Sequence, residues 1–239
     1  MIQVVWEDNS ILVVYKPPGI ATQTSRIGQG DMVSEIKNYL AGKEGYVKGT
    51  EPYVGLIHRL DQPVSGLLVF AKDKQSAARL SEQLNSSMKK HYFALILGQP
   101  LLKKGHLENF LYKDKKENKA YLVKETFPEA KKAILNYEIR NSLMLLEENK
   151  AVSLVDVELL TGRFHQIRAQ MAHAGMPLLG DYKYGSSESV ELSHEIGLKN
   201  VALCAYCLSF IHPKTNKVMT FKEPPREEIF HAFLESEFL

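Results

Sequence analysis

The stretch His58-Arg59-Leu60-Asp61-Gln62-Pro63-Val64-Ser65-Gly66-Leu67-Leu68-Val69-Phe70-Ala71-Lys72 decides how this chain is read. Gly66–Lys72 is a continuous apolar run of strand length, and Leu56-Ile57-His58 leads into it from the other side. Between them stand a histidine, two charges, a proline and a glycine. A loop between buried strands is where a rigid scaffold presents reactive groups. Taken alone, Asp61 before Gln62-Pro63 also suits an Asx-type turn, with Arg59 as a surface cation and His58 as a satisfied strand-end histidine.

Working outward, Ile2–Trp6 and Ile11–Tyr15 are apolar, β-branched runs separated by Asp8-Asn9-Ser10, and Lys16-Pro17-Pro18-Gly19 stops the second. Asp31–Leu40 has helical spacing. Lys74–Met88 is a second helix, with Ala77, Leu80, Leu84 and Met88 on one face and Asp73 as N-cap. His91–Leu97, Ala133–Arg140, Leu143–Glu147, Ser153–Leu160 and Val201–Ile211 read as strands. Arg163–Ala174 and Pro225–Leu234 read as helices. Strands outnumber helices and do not alternate with them, so the expected class is α+β with mixed, mainly antiparallel sheets and flanking helices. No linker-like stretch divides residues 1–239, which are expected to form a single catalytic domain.

Of the 239 residues, 44% are hydrophobic and 24% charged. That composition is globular and excludes disordered, collagen-like and coiled-coil classes. No run of 18 uncharged apolar residues occurs, so no membrane helix is expected. Residues 1–8 lack a basic segment followed by an apolar one, so no secretory leader is expected. Cys204 and Cys207 are the only cysteines; they cannot form a disulfide framework, and a reducing, cytoplasmic compartment is expected. The net charge is +2. It is unevenly spread: Ser86–Arg140 holds 12 basic and 6 acidic residues, leaving 18 basic against 22 acidic elsewhere. Polyanion binding needs such a local excess. Lys113, Lys115, Lys116 and Lys119 are expected in one solvated loop.

Two further segments carry chemistry. In Lys89-Lys90-His91-Tyr92-Phe93-Ala94, basic residues run into an aromatic pair. By strand alternation one ring is core and the other can reach a cleft, or both are core. In Thr161-Gly162-Arg163-Phe164-His165-Gln166-Ile167-Arg168, His165 and Arg168 share a helix face away from Phe164 and Ile167. Arg168, on an inward-packing helix, wants a carboxylate partner. Other signals fail. Cys204-x-x-Cys207 lies within an apolar strand with no second pair, so no metal site is expected. No dinucleotide, P-loop or nucleophile-elbow pattern is present, so no cofactor is expected.

Together the three segments resemble the RluA-type RNA pseudouridine synthases. His58-Arg59-Leu60-Asp61 with Ser65-Gly66-Leu67-Leu68 and Ala71-Lys72 is similar to that family's H-R-L-D…[ST]-G-L-L…A-K signature. Lys90-His91-Tyr92-Phe93-Ala94…Gly98 is similar to its K-x-Y-x-A…G strand. Thr161–Arg168 with Gly175, Gly180-Asp181 and Tyr184-Gly185 is similar to its T-G-R-x-H-Q-I-R…G…G-D…Y-G block. Leu203-x-Ala205…Leu208-x-Phe210-x-His212-Pro213 is similar to its late strand. Phe164 and Cys204 depart from the residues usual there.

The resemblance implies two sheet-based halves around a central cleft, and no separate N-terminal S4 RNA-binding domain, because the strands leading to Asp61 begin at residue 2. It implies isomerisation of specific uridines in ribosomal or transfer RNA, without cofactor; for the oligomeric state, a monomer is the default expectation. Asp61 is implied as the catalytic nucleophile, acting at the base or at the sugar. Tyr92 is implied to stack on the target uracil, Arg59 to fill the stack vacated by the flipped base, and Arg168 to pair with Asp61 and keep it ionised. Two rivals are weighed against this: a non-catalytic RNA-binding protein on the same fold, and a glycoside hydrolase with paired carboxylates. The hydrolase needs a second acid, for which only Asp156 and Asp181 lie near the motifs.

Overall fold

The computed structural model describes residues 2–24, 28–43, 49–84, 86–145 and 150–234. It divides into two compact units, Met1–Met88 with Cys207–Glu223, and Lys89–Tyr206 with Pro224–Leu239. Both are built on antiparallel strands with a few flanking helices, the α+β class expected.

In the first unit, β1 (Gln3–Glu7) and β2 (Ile11–Lys16) form a hairpin. Its turn is closed by Asp8, whose Oδ1 accepts the N–H groups of Ser10 and Ile11 at 2.7 and 2.9 Å. β2 then pairs with β4 (Ser65–Ala71) from Ile11↔Ala71 to Lys16↔Gly66. Both strands are buried at every position, which is why they read as unbroken apolar runs. The two-residue β3 (Gly55–Leu56) adds to β4. α1 (Met32–Ala41) and α2 (Lys74–Glu82) are capped by Asp31 and Asp73, each accepting a backbone N–H three residues on. Leu80 packs with Ile11, Val13, Leu67, Val69, Leu208 and Phe210 in the core.

α2 ends six residues earlier than its apolar spacing suggests. The amide of Gln83 leaves the helix pattern and clamps Ile211, donating to its carbonyl at 2.9 Å and accepting its N–H at 2.7 Å. Leu84 and Met88 still pack on the core, so the spacing reported burial correctly and conformation incorrectly.

In the second unit, β5 (Lys89–Leu97), β6 (Lys104–Asp114), β7 (Lys119–Val123), β8 (Lys131–Leu145) and β9 (Lys150–Leu159) lie in the order β5-β9-β8-β6-β7. The lysines expected in one loop are divided: Lys113 lies within β6, Lys119 begins β7, and 115–118 form the turn. Ala133–Arg140 and Leu143 belong to one long strand, because a bulge between Ile139 and Asn141 absorbs the polar break. Met144 and Leu145 continue that strand, and the last two residues of the Leu143–Glu147 expectation lie outside the described residues. α3 (Gln166–His173), α4 (Ser187–Glu195) and α5 (His231–Leu234) complete the unit. α5 follows a short 3-10 turn, so only the end of Pro225–Leu234 is α-helical. β10 (Leu203–Ile211) begins in this unit and ends in the first, where it pairs with β11 (Val218–Lys222). Its cysteines, Cys204 and Cys207, are buried and not joined in a disulfide.

Candidate functional site

Asp61 sits on a tight turn of the first unit, closed by the Val64 N–H donating to its carbonyl at 3.0 Å. The peptides on either side are held from the 16–22 loop. Leu60 is gripped at both backbone groups by one hydroxyl: Thr22 Oγ1 donates to its carbonyl at 2.9 Å and accepts its N–H at 3.1 Å. The Gln62 carbonyl accepts the Gly19 N–H at 2.8 Å and the Lys16 Nζ at 3.1 Å. The Gln62 amide returns a bond to the Gly19 carbonyl. Lys16 is wholly buried, and its ammonium also donates to the carbonyls of Pro17 and Ile20. A buried cation without partners is costly; three carbonyls offset that here and convert Lys16 into a brace for the loop. Asp61 is half-buried. Arg59 is exposed two residues before it, and its side chain has no hydrogen bond or ion pair to any described residue. His58 Nε2 accepts the Val69 N–H, the strand-end role open to it from the start.

Tyr92 and Arg168 belong to the second unit. Tyr92 pairs with Val157 on β9, and Val157 with Tyr137 on β8, so the three side chains share one sheet face. Tyr92 is buried on that face. Ala133 on β8 packs with Ala169 of α3 on the same side, so α3 covers the face that carries Tyr92. Gln170 ties α3 down by donating to the Leu107 and Ala133 carbonyls and to Asn109 Oδ1.

α3 begins three residues later than its pattern suggests. His165 sits at its N-cap with φ +52°, outside the helix. The preceding turn is pinned by Gln166, whose Oε1 accepts Thr161 Oγ1 at 2.8 Å and the Arg163 N–H at 2.9 Å. The expected helical pairing of His165 with Arg168 therefore gives way to a turn followed by a helix.

Arg168 is 6% exposed and pairs with Asp181. Its Nε and Nη2 each donate to one carboxylate oxygen at 2.7 Å, a bidentate geometry. Asp181 Oδ1 also accepts the N–H groups of Lys183 and Tyr184. The Tyr184 ring lies 5.2 Å from the Arg168 guanidinium carbon. Its hydroxyl accepts the Ala120 N–H at 2.6 Å and meets His165 Nδ1 at 2.8 Å. Two glycines make the segment possible. Gly180 has φ +70°, and a Cβ there would lie 2.0 Å from the Asn200 carbonyl oxygen; a Cβ on Gly185 would lie 2.6 Å from that of Asp181.

Asp181 was weighed in the sequence only as a second acid for a hydrolase, and Tyr184, Lys16 and Thr22 were not singled out as functional. The G-D…Y-G spacing was the available signal for the first two. Both acids considered for a hydrolase are engaged: Asp181 with Arg168, and Asp156 with the Tyr206 hydroxyl at 3.0 Å and His91 Nδ1 at 3.3 Å. Among the described residues no group of three or more His, Cys, Asp or Glu side chains is placed to hold a metal ion.

Residues 10–173 match the family model described as RNA pseudouridylate synthase. The Bacillus subtilis protein named uncharacterized RNA pseudouridine synthase YhcT is 31% identical over 224 residues, 93% of this chain and 68% of that protein. The Zymomonas mobilis protein named ribosomal large subunit pseudouridine synthase D is 33% identical over 225 residues, 92% of this chain and 68% of its own length. Human RNA pseudouridylate synthase domain containing 1 superposes with a TM-score of 0.72 at 20% identity, covering 94% of this chain and 84% of that one. The last comparison concerns the fold alone. The chain belongs to the RNA pseudouridylate synthase family, whose activity is that of an isomerase.

Proposed function

We propose that this protein isomerises specific uridines in ribosomal or transfer RNA to pseudouridine, with Asp61 as nucleophile. The observation that carries the reading is the clamped turn: Leu60 and Gln62 are fixed at their backbones while the acid between them is half-buried. A nucleophile held in place loses little entropy on reaching its reacting geometry. In the reaction the N1–C1′ bond breaks, the carboxylate of Asp61 carries the covalent intermediate, and the uracil turns. C5 then bonds to C1′, the C5 proton leaves to solvent, N1 gains one, and the carboxylate is released unchanged. Atoms and charge balance without a redox partner or group donor.

Arg168 supplies the positive charge that the reacting nucleotide meets. Asp181 engages its Nε and Nη2, which orients the guanidinium plane. Tyr92 stacks on the everted uracil, and exposed Arg59 fills the vacated stack. The lysine-rich β6–β7 segment holds the RNA backbone. The protein works as a monomer in the cytoplasm, where its two buried thiols stay reduced.

Transcripts of ribosomal and transfer RNA labelled with tritium at uridine C5 test the reading. Tritium appears in water from at least one transcript. Tight binding of both without release would instead favour a non-catalytic RNA-binding protein.

A further inference from the structure

We propose that Lys90, with the Gly162-Arg163 turn, forms a binding site for one phosphodiester group of the RNA. The inference rests on the RNA reading above and assigns a residue that the isomerisation itself does not use.

Lys90 is 7% exposed. Among the described residues its ammonium has neither a hydrogen-bond acceptor nor a carboxylate within ion-pair distance. The contrast with Lys16, also buried, is direct: that ammonium meets three carbonyls. Burial alone depresses the Lys90 ammonium below the ordinary lysine value. A desolvated cation with no internal partner is costly to keep, and an incoming anion is what would offset the cost.

The position selects the anion. Lys90 and Tyr92 are two residues apart on β5, so they share a sheet face. A cation beside the ring proposed to stack on the target base stands at the level of that nucleotide's own backbone. The ammonium lies 3.7 Å from where a Cβ on Gly162 would be. Gly162 is exposed and carries no side chain, so bare main chain lies beside the ammonium. Arg163 follows; its Nε donates to the Lys132 carbonyl at 2.8 Å, and no described carboxylate neutralises it. Two cations and an uncovered glycine fit a tetrahedral oxyanion bearing one negative charge.

Two variants test this, with a fluorescein-labelled uridine dodecamer as probe. Lys90→Met keeps the length of the side chain and removes its charge. We expect roughly tenfold weaker binding and a slope of log Kd against log salt smaller by about 0.7, the loss of one phosphate contact on a single strand. Its melting temperature should equal or exceed that of the parent, since a desolvated charge is gone. Gly162→Asp places a carboxylate over the ammonium as an internal counter-ion, and should weaken binding at least as much. An unchanged salt slope in Lys90→Met, or a lowered melting temperature with unchanged binding, overturns the proposal and makes Lys90 a structural lysine. The parent's tritium release separates the two readings: release with an unchanged slope removes only the phosphate site, whereas a reduced slope without release removes only the isomerase reading.

Discussion

The two units hold their proposed catalytic groups by different means. In the first, Asp61 is positioned through its neighbours' peptide groups, which Thr22, Gly19 and Lys16 grip from a loop some forty residues earlier. In the second, Arg168 is held directly at its side chain by Asp181, and a Tyr184–His165 contact lines the same network. A backbone clamp leaves the carboxylate itself open to a substrate, whereas a side-chain network fixes the orientation of a charge at the cost of burying it. Damage to the second arrangement should therefore register first in stability, and damage to the first should register in turnover relative to stability.

Asp181→Asn should produce the largest loss of stability, about 3–5 kcal/mol, because it removes the negative charge that meets two N–H groups of the buried Arg168 guanidinium. Denaturant midpoints measure this, and a loss under 1 kcal/mol would mean the network is not what holds α3. Lys16→Met should cost less, about 2 kcal/mol, since carbonyls lose a donor while a buried charge is also removed. Its turnover should fall further than its stability implies. Thr22→Val should be milder, about 1 kcal/mol, with kcat reduced several-fold and RNA affinity kept. If kcat is untouched, the clamp does not position Asp61.

A smaller difference concerns acid. Asp8 and Asp31 are held below the usual carboxylate range: burial opposes ionisation, but backbone N–H groups donating to the carboxylates outweigh it. Asp73 is lowered by the hydroxyl and N–H of Ser76. A carboxyl whose folded value lies below its unfolded one stabilises the fold fully above about pH 4, and this is lost as pH falls through the folded value. All three acids lie in the first unit. In the second, the lowered acids Glu108 and Glu138 are paired with Lys132 and Lys104 near the surface, and such pairs contribute little. The single tryptophan, Trp6, lies in the first unit. Its emission should shift at a higher pH than the tyrosine signals of the second unit during acid titration; simultaneous loss would erase the difference.

Much of this was legible in the chain. β2 and β4 read as strands because both faces are covered, and α1 and α2 announced their caps through Asp31 and Asp73. β6 and β7 did not, since half-exposed strands rich in lysine lose their alternation among residues that also favour loops. α4 has few apolar residues to show a period. The need of Arg168 for a carboxylate was legible. Its partner in the second unit lies thirteen residues on, beyond a glycine turn whose course no local pattern states. Lys16 looked like the end of a strand, and its hold on Gln62, 46 residues away, exists only once the chain is folded.

The central claim is that the Asp61 carboxylate performs the isomerisation. Tritium release from C5-labelled RNA, measured alongside RNA affinity for the parent and Asp61→Asn, tests it most directly. The account predicts release reduced by about 10⁴-fold or more with affinity within a few-fold of the parent. Release that persists in Asp61→Asn within tenfold of the parent, at equal affinity, would contradict it.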